Sequence, residues 1–493
     1  MAFSNDYLMI YIVALGSFTY GFNNSVIGSV LGLSSFLEYF EIHNNSSKSN
    51  SIIGATSGLF AGGGAIGALI SAWLANKAGR VRALQVTCII CIVSAAIQGG
   101  SVNIAMFLIG RFVSGIGVGL MVTLVPIYQS EVSPAESRGR MVGHHGFLIV
   151  TGYAFAAWTG FGCFYATSPA FQWRFELSAQ VIAPALLLIG STWLPESPRW
   201  LVEKDRDADA LDVLRSLHSS RGEADAGIQA RTEIGEIRTQ LAIDKEMSRA
   251  GGRWTLITNA SYRKRLFCGC FVQFIGQSTG VLVINNFQVS LYNSLGLYDA
   301  MPLLLYAVYL SWAAGMNYVS TFIIDRLGRI RLMIIGLIGC IVAVSCEAAM
   351  VSQISGTSNK VGSGFGVFFL FLFVTFYGGG LDATTYVYSA EVFPTHIRGP
   401  GMGISVFTQF CATLVYTEVA PIAFAAIGWK YYLVFIIVPA LGAVLIWFTF
   451  PETKGMSLED ISKAFDDNNS ARGKSEEDLE HFEKRSASHN ESV

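Results

Sequence analysis

The stretch Pro195-Glu196-Ser197-Pro198-Arg199-Trp200-Leu201 ends one long apolar region, and Pro451-Glu452-Thr453 ends another about 250–260 residues further on. Two more motif pairs recur in the same order and at nearly the same separation. Ala78-Gly79-Arg80-Val81-Arg82 corresponds to Leu327-Gly328-Arg329-Ile330-Arg331, and Glu131-Val132-Ser133-Pro134 corresponds to Glu391-Val392-Phe393-Pro394. Because three ordered matches at one offset are not plausible by chance, the sequence predicts two similar halves joined by a central loop.

Each half consists mainly of apolar stretches. Of the 493 residues, 52% are hydrophobic and only 14% are charged, which excludes a soluble enzyme of this size. A helix that spans a bilayer needs about 20 predominantly apolar residues. Twelve predicted spans meet this requirement: 8–27, 52–75, 84–100, 104–127, 141–164, 175–194, 266–287, 303–324, 332–351, 366–388, 402–427 and 431–450. The sequence therefore predicts an all-α membrane protein with twelve transmembrane helices in two six-helix bundles.

Basic residues concentrate in the loops that follow spans 2, 4, 8 and 10, namely Lys77, Arg80, Arg82, Arg138, Arg140, Arg326, Arg329, Arg331 and Arg398. Cytoplasmic loops carry such an excess, so both termini and the central loop are predicted to be cytoplasmic. The predicted divisions are a first bundle over 1–194, a central loop over 195–265, a second bundle over 266–450 and a tail over 451–493. Within the loop, residues 207–218 and 231–247 space Leu and Ile by three or four, which is typical of short amphipathic helices.

The repeated motifs also place opposite charges at these helix ends. Glu131 and Arg138, like Glu391 and Arg398, lie where a carboxylate can meet the planar fork of a guanidinium in two hydrogen bonds. The candidate cytoplasmic gate also includes Arg80, Glu196, Arg199, Asp325 and Arg329. Such pairs are expected to hold the cytoplasmic mouth shut and to break when the halves move. The alternative, charge anchoring at the membrane surface, explains the arginines but not the matched glutamates.

The motifs resemble those of the sugar porters of the major facilitator superfamily, and fungal hexose transporters most of all. The resemblance is carried by Gly79-Arg80, Gly110-Arg111-Phe112, Pro126-Ile127-Tyr128-Gln129-Ser130-Glu131, the stretch that begins at Pro195, Asp325-Arg326-Leu327-Gly328-Arg329, Glu391-Val392-Phe393-Pro394 and Pro451-Glu452-Thr453-Lys454-Gly455. It implies a substrate cavity between the two bundles at mid-membrane and transport by alternating access.

Sugar hydroxyls are best bound by side chains that both donate and accept hydrogen bonds, together with an aromatic ring. On this basis the resemblance points to Gln273, Gln277, Asn285, Asn286, Tyr386 and Gln409 as substrate-binding residues. Hydrogen bonding between helices is the alternative role for the two glutamines, and for the two asparagines both roles stay open. The chain departs from the family pattern at Gly146, Gly276 and Leu282, where amide side chains are usual. A different sugar, a polyol or another small polar metabolite is therefore an alternative substrate to a hexose.

The first span carries Asn23 where proton-coupled sugar porters usually carry an aspartate that faces the arginine matching Arg111. An aspartate can bind and release a proton, whereas an asparagine cannot. The resemblance therefore favours facilitative transport without an ion. Proton symport stays open, because Glu347, Asp382 and Glu418 are acids within or near predicted spans.

The leading hypothesis is a hexose carrier of the plasma membrane that functions as a monomer, with the lipid bilayer and a small-molecule sugar as its partners. A sugar sensor is a weaker alternative, because the tail has no evident interaction motif. No nucleic-acid partner, cofactor, metal site or enzymatic activity is predicted. Gly62-Gly63-Gly64, with Gly58 and Gly67, indicates close helix packing rather than a phosphate loop. Asn44 and Asn45 begin two overlapping glycosylation sequons in a predicted outer loop.

Overall fold

The computed structural model describes residues 6–42, 47–132, 138–220, 226–251, 255–354, 360–454, 456 and 465. Within these residues every regular element is helical. The α-helices are α1 (Asp6–Val30), α2 (Ser34–Tyr39), α3 (Ser47–Ala78), α4 (Arg80–Gly99), α5 (Ile104–Val132), α6 (Arg138–Phe164), α7 (Pro169–Ala179), α8 (Ile182–Gly190), α9 (Pro198–Glu203), α10 (Asp207–Ser220), α11 (Ala226–Gly251), α12 (Thr255–Thr258), α13 (Ala260–Ser278), α14 (Val281–Ser294), α15 (Met301–Leu327), α16 (Arg329–Ile354), α17 (Lys360–Gly380), α18 (Asp382–Val392), α19 (Thr395–Ile427) and α20 (Tyr432–Thr449). Two 3₁₀ turns, Ser191–Trp193 and Gly428–Tyr431, follow α8 and precede α20.

Ten helical stretches in the described part of the chain are long and apolar enough to cross a bilayer. One of them, Ile397–Thr449, contains both predicted spans 11 and 12. The first predicted span corresponds to α1, a helix of 25 residues that lies outside these ten. Predicted spans 6, 7 and 10 each consist of two consecutive helices, α7–α8, α13–α14 and α17–α18. The predicted glycosylation sites at Asn44 and Asn45 lie outside the described residues.

A glycine separates α3 from α4 and another separates α15 from α16, at equivalent places in the two halves. Gly79 and Gly328 have φ of 93° and 91°, a backbone conformation that favours glycine. A Cβ atom at Gly79 would lie 2.4 Å from Glu196 Oε2, and one at Gly328 would lie 2.7 Å from Glu452 Oε2. The repeated glycine thus both permits the turn and leaves room for a carboxylate from the repeated Pro-Glu motif.

Glycines also let α3 and α5 approach closely. A Cβ at Gly63 would lie 2.2 Å from the Phe112 carbonyl oxygen, and one at Gly115 would lie 2.1 Å from that of Phe60. Gly67 and Gly119 continue the same contact along the two helices. Small residues are the usual means by which membrane helices pack backbone to backbone. The packing role predicted for the glycine-rich segment is therefore confirmed.

The central loop forms α9 to α12. Helix α9 contacts α5, and its Trp200 Nε1 donates to the Asn76 carbonyl of α3 at 3.1 Å, whereas α11 contacts α19 and α12 contacts α13 of the second half. Ser197 caps α9 by accepting a hydrogen bond from the Trp200 amide at 3.3 Å. Buried apolar residues of α10 and α11 continue this core, and His218 pairs with Glu233 across the two helices at 2.8 Å. The two amphipathic segments predicted in this loop lie within α10 and α11, and both helices extend beyond the predicted bounds.

The two halves meet through α1 with α14, α3 with α19, and α6 with α15. We call the end that carries Arg80 and Arg329 the arginine-rich end. Several hydrogen bonds between the halves lie toward the opposite end, including Ser25 with Tyr306 at 2.8 Å and Asn286 with Ser57 at 3.2 Å. A large buried apolar cluster is shared by α1, α14 and α15 in the same region. The halves are therefore tightly joined near this end.

Candidate functional site

A cavity lies between the halves, and helices α1, α6, α13, α14, α15, α17, α18 and α19 line it. The first half contributes only α1 and α6 to this described lining, whereas the second half contributes six helices. Most of the polar residues that line the cavity are tyrosines or carry side-chain amides. Its polar lining residues are Tyr20, Tyr153, Gln277, Asn285, Asn317, Tyr377, Asp382, Tyr386 and Gln409.

Four of the six predicted substrate-binding residues line this cavity. Tyr386 and Gln409 form a reciprocal pair, in which the Tyr386 hydroxyl donates to Gln409 Oε1 at 2.9 Å and accepts from Gln409 Nε2 at 2.7 Å. Gln277 Oε1 accepts a longer hydrogen bond from the Thr413 hydroxyl at 3.4 Å. The buried Asn285 Oδ1 has no hydrogen-bond partner among the described residues. Amides in such partly satisfied states can bind hydroxyl groups of a solute.

The other two predicted residues are outside the described lining. Gln273 is buried one turn before Gln277, and its Nε2 donates to the Ser389 hydroxyl at 3.4 Å. Asn286 is buried against the first half, where its Nδ2 donates to the Ser57 hydroxyl at 3.2 Å. The structure thus gives Gln273 the interhelical contact that the sequence left open as its alternative role. It gives Asn286 a contact between the halves.

Several lining residues were not predicted as substrate-binding. The sequence does not show which side of a largely apolar helix lines the cavity. For this reason it did not reveal Tyr20, Tyr153, Asn317 and Tyr377. Asp382 was noted only as an acid in span 10, although a carboxylate in an apolar span is itself a signal of function. Asn317 Nδ2 donates to Asp382 Oδ2 at 2.5 Å, which makes these two side chains one hydrogen-bonded unit.

Asn23 and Arg111 lie side by side, but not as an amide facing a guanidinium. Arg111 is fully buried, and its Nη1 and Nε donate to the backbone carbonyls of Asn23 and Thr56 at 3.0 Å each. The Asn23 side chain instead accepts from the Ser114 hydroxyl at 2.8 Å and donates to the Thr19 carbonyl at 2.9 Å. The guanidinium also lies over the ring of Phe60, 4.3 Å from its centroid. Carbonyl dipoles and an aromatic face therefore surround this buried cation.

At the arginine-rich end of the first half, Arg80 pairs with Glu131. Arg80 Nε and Nη2 donate to the two carboxylate oxygens of Glu131 at 2.8 Å each, and the side chains are only 8% and 11% exposed. Glu196 accepts from the Arg80 backbone amide at 2.8 Å and so caps α4. Among the described side chains, Glu131 thus pairs with an arginine of the neighbouring helix. The side chain of Arg138 lies outside the described residues, and Arg199 lies on α9 beside this network.

The second half repeats the arrangement. Arg329 binds Glu391 through Nε and Nη2, the shortest contact being 2.7 Å, and also pairs with the exposed Asp325 at 3.2 Å. Glu452 accepts from the Arg329 backbone amide at 2.8 Å. Arg398 Nε donates to the Phe393 carbonyl at 3.3 Å. In each half, both partners of these ion pairs belong to the same half.

Three other acids of the helices are outside the described lining of the cavity. Glu347 on α16 is buried, and neither of its carboxylate oxygens has a partner among the described residues. Glu418 on α19 lies against Gly54 and Gly58 of α3. Glu176 on α7, which the sequence did not single out, is buried and accepts a hydrogen bond from Ser29. None of the three is in the described lining of the cavity.

Comparisons with known proteins agree with this architecture. The sequence profile of the Sugar (and other) transporter family matches residues 9–465. The chain is 32% identical to the MFS-type transporter criB of Aspergillus cristatus, over 92% of each chain. It is 28% identical to the glucose transporter GlcP of Staphylococcus epidermidis, over 95% of this chain and 99% of that protein.

A solved structure of the proton:xylose symporter XylE bound to 6-bromo-6-deoxy-D-glucose has a TM-score of 0.78 at 22% sequence identity. That similarity covers 94% of this chain and 99% of the XylE chain. A partially occluded inward-open structure of XylE from E. coli gives a TM-score of 0.77. The predicted fold class is therefore confirmed. Because the family profile covers nearly the whole chain, this protein belongs to the sugar transporter family of the major facilitator superfamily.

Proposed function

We propose that this protein carries a sugar, with a hexose as the first candidate, across the plasma membrane by alternating access and down the gradient of the solute. The observation that supports this most directly is the cavity between the two halves, in which Gln277, Asn285, Tyr386 and Gln409 present amides and an aromatic ring to a polar solute. We propose further that the protein acts as a monomer, with its termini in the cytoplasm, and that it has no enzymatic activity.

The placement of contacts between the halves supports alternating access. The hydrogen bonds of Ser25 with Tyr306 and of Asn286 with Ser57 hold the halves together toward the end opposite the arginine-rich end. The Arg80–Glu131 and Arg329–Glu391 pairs each lie within one half. We propose that these pairs brace the helix ends of each half. The halves can then separate at this end without breaking them.

The neutral Asn23 supports transport without a coupled proton. Its amide is satisfied by Ser114 and Thr19, so no titratable group occupies this position beside Arg111. A carrier without a proton-binding group at this position can reorient its empty cavity from one side of the membrane to the other without a bound ion. Uptake that collapses on addition of a protonophore, in vesicles at a fixed solute gradient, would contradict this proposal.

Replacing Asn23 with aspartate should make transport depend on pH. The introduced carboxylate, when ionised, would pair with the buried Arg111 and so stabilise this conformation of the first half over the others in the transport cycle. We therefore expect uptake at neutral pH to fall about tenfold or more, as for a charge-assisted hydrogen bond of about 1.5–3 kcal/mol. Protonation at acidic pH removes that attraction, so uptake should recover as pH falls. Initial rates between acidic and neutral pH measure this.

The matched control for this experiment is Asn24→Asp. Asn24 is the neighbouring residue, but its Nδ2 donates to the Tyr153 hydroxyl at 2.9 Å and so faces away from Arg111. The introduced carboxylate would be buried without a guanidinium, so it should be protonated, and uptake should recover, at a higher pH than in Asn23→Asp. Equal pH profiles for the two variants would show that the effect does not depend on Arg111.

A counterflow panel in reconstituted vesicles tests the substrate. Hexoses, pentoses, disaccharides and polyols should be compared, each with and without a pH gradient, and we expect hexoses to give the strongest signal. Within that panel, Gln277→Ala should raise the half-saturating concentration of hexose by up to about tenfold, as for loss of one neutral hydrogen bond. Gln273→Ala serves as the control, because that side chain is outside the described lining. A larger effect for Gln273 than for Gln277 would contradict the assigned site.

A further inference from the structure

Asp382 is the feature of the cavity that binding of a neutral sugar leaves unexplained. It lines the cavity at the start of α18, and its hydrogen-bond donor is the neutral amide of Asn317. The described lining contains no lysine, arginine or histidine. A carboxylate inside the membrane is costly unless an opposite charge accompanies it. Because the described lining supplies no such charge, the solute that enters the cavity can supply it.

The same cavity has unsatisfied acceptor atoms. The carboxylate of Asp382 can only accept, so the Asn317 amide must turn its Nδ2 toward it and its Oδ1 away. That Asn317 Oδ1 is buried without a partner among the described residues, and so is Asn285 Oδ1. A hydroxyl brings one donor, whereas an ammonium brings three donors and no acceptor. The surplus of acceptors therefore favours a cationic group over a hydroxyl.

There is also room for such a group beside these atoms. A Cβ at Gly146 would lie 3.6 Å from Asn317 Oδ1 and 3.9 Å from Ala383 Cβ, which are ordinary contact distances. The glycine therefore leaves the space in front of Asn317 open. Tyr20, Tyr153, Tyr377 and Tyr386 also line the cavity. Aromatic rings of this kind attract cations through their faces.

We propose that Gly146, Asn317 and Asp382 form a subsite for the protonated amine of a solute, so that the carrier prefers an amino sugar to its neutral and acidic counterparts. This inference rests on the proposed function as a sugar carrier and specifies the class of sugar. A proton on Asp382 is the competing way to neutralise the carboxylate. It supplies one donor at most, which can satisfy the amide oxygen of Asn317 or that of Asn285 but not both, so the surplus of acceptors favours the amine.

Binding of four probes to the purified protein tests the proposal. Thermal stabilisation by glucosamine, glucose, N-acetylglucosamine and gluconate, measured over a range of concentrations at mildly acidic pH, gives a dissociation constant for each. We expect glucosamine to bind at least about tenfold more tightly than glucose, because it adds a charge-assisted hydrogen bond. N-acetylglucosamine, which keeps the nitrogen but not the charge, should not show this gain, and gluconate should bind weakest.

Two variants and one control localise the effect. Asp382→Asn should bring the ratio of the glucosamine and glucose constants close to one, and Gly146→Gln should do the same by filling the subsite. Asp299→Asn makes the same chemical change in the exposed connection between α14 and α15, at the end of the protein opposite the arginine-rich end. Asparagine tolerates the φ of 61° that Asp299 adopts there. The ratio for this variant should equal that of the wild type. Ratios within one variant are insensitive to a general loss of folded protein.

The outcomes separate this proposal from the proposed function. Equal constants for glucosamine and glucose in the wild type, or a ratio unchanged by Asp382→Asn, would overturn the amine subsite. Thermal stabilisation by glucosamine and by glucose could also depend equally on pH and lose that dependence in Asp382→Asn. That result would assign a proton to Asp382 and would likewise overturn the amine subsite. If neutral hexoses give no counterflow while glucosamine binding still requires Asp382, the hexose assignment fails and the amine subsite stands.

Discussion

Replacing Glu131 with glutamine should be among the most destabilising single changes of charge in this protein. The variant leaves Arg80, whose side chain is 8% exposed, without its counter-ion. Removing one partner of a buried ion pair typically costs about 3–5 kcal/mol, because the remaining charge is left uncompensated. If only about 1.4 kcal/mol of this cost falls on one conformation of the transport cycle, uptake falls about tenfold. Thermal unfolding of the purified protein and initial uptake rates measure the two effects.

The second half provides a graded series for the same experiment. The side chain of Glu391 is 28% exposed, so Glu391→Gln should cost less than Glu131→Gln. Asp325 binds the same Arg329 but is 76% exposed, and a pair of that kind contributes at most about 1 kcal/mol. Asp325→Asn is therefore the matched control. We expect the loss of stability to follow the order Glu131, Glu391, Asp325, and an Asp325 effect equal to that of Glu131 would refute burial as the cause.

Replacing Gly115 with leucine should prevent α3 and α5 from packing. Even a Cβ at this position would lie 2.1 Å from the Phe60 carbonyl oxygen, and the obstacle is backbone that cannot rotate away. Overpacking a well-packed core costs about 1–3 kcal/mol for added methylenes, and more where helices must separate. Because α5 also carries Arg111 and Glu131, we expect loss of most folded protein. Yield of monodisperse protein after solubilisation and the unfolding temperature measure this.

Gly315→Leu is the control for the glycine prediction. Gly315 lies on α15, is exposed, and a Cβ there meets nothing within 4 Å. Leucine has a higher helix propensity than glycine by roughly 0.5–1 kcal/mol, so this variant should fold as well as the wild type or slightly better. Equal loss of folded protein in the two variants would mean that glycine is needed in these helices for a reason other than close approach.

The sequence predicts the charged ends of the two halves well but not their pairing. It identifies Glu131, Arg80 and Arg138 from the repeat and predicts that Glu131 can pair with Arg138 across the helix ends. In the structure Glu131 binds Arg80, which belongs to the adjacent helix α4. Two helix ends that are far apart in sequence meet only after α3, α4 and α5 have packed, so no local spacing reveals this partner.

The cavity shows the same limit more strongly. Gln273 and Gln277 are one turn apart, and the resemblance points to both as substrate-binding residues. Only Gln277 belongs to the described lining, whereas Gln273 donates a hydrogen bond to Ser389 of α18. Asn317 and Tyr377 lie in spans that are apolar on all sides. A helix surrounded by lipid and other helices has no hydrophobic periodicity that marks its inner face.

The sequence by itself determined the membrane fold, the duplication and the family, because these depend on the length of apolar stretches and on short motifs that repeat at one offset. Only the tertiary structure decided which side chains face one another. It placed the arginine pairs within each half, gave Arg111 backbone carbonyls for partners, and brought Gly146, Asn317 and Asp382 from three helices to one corner of the cavity. Span length is a property of one segment, whereas side-chain contacts depend on the rotation of every helix relative to its neighbours.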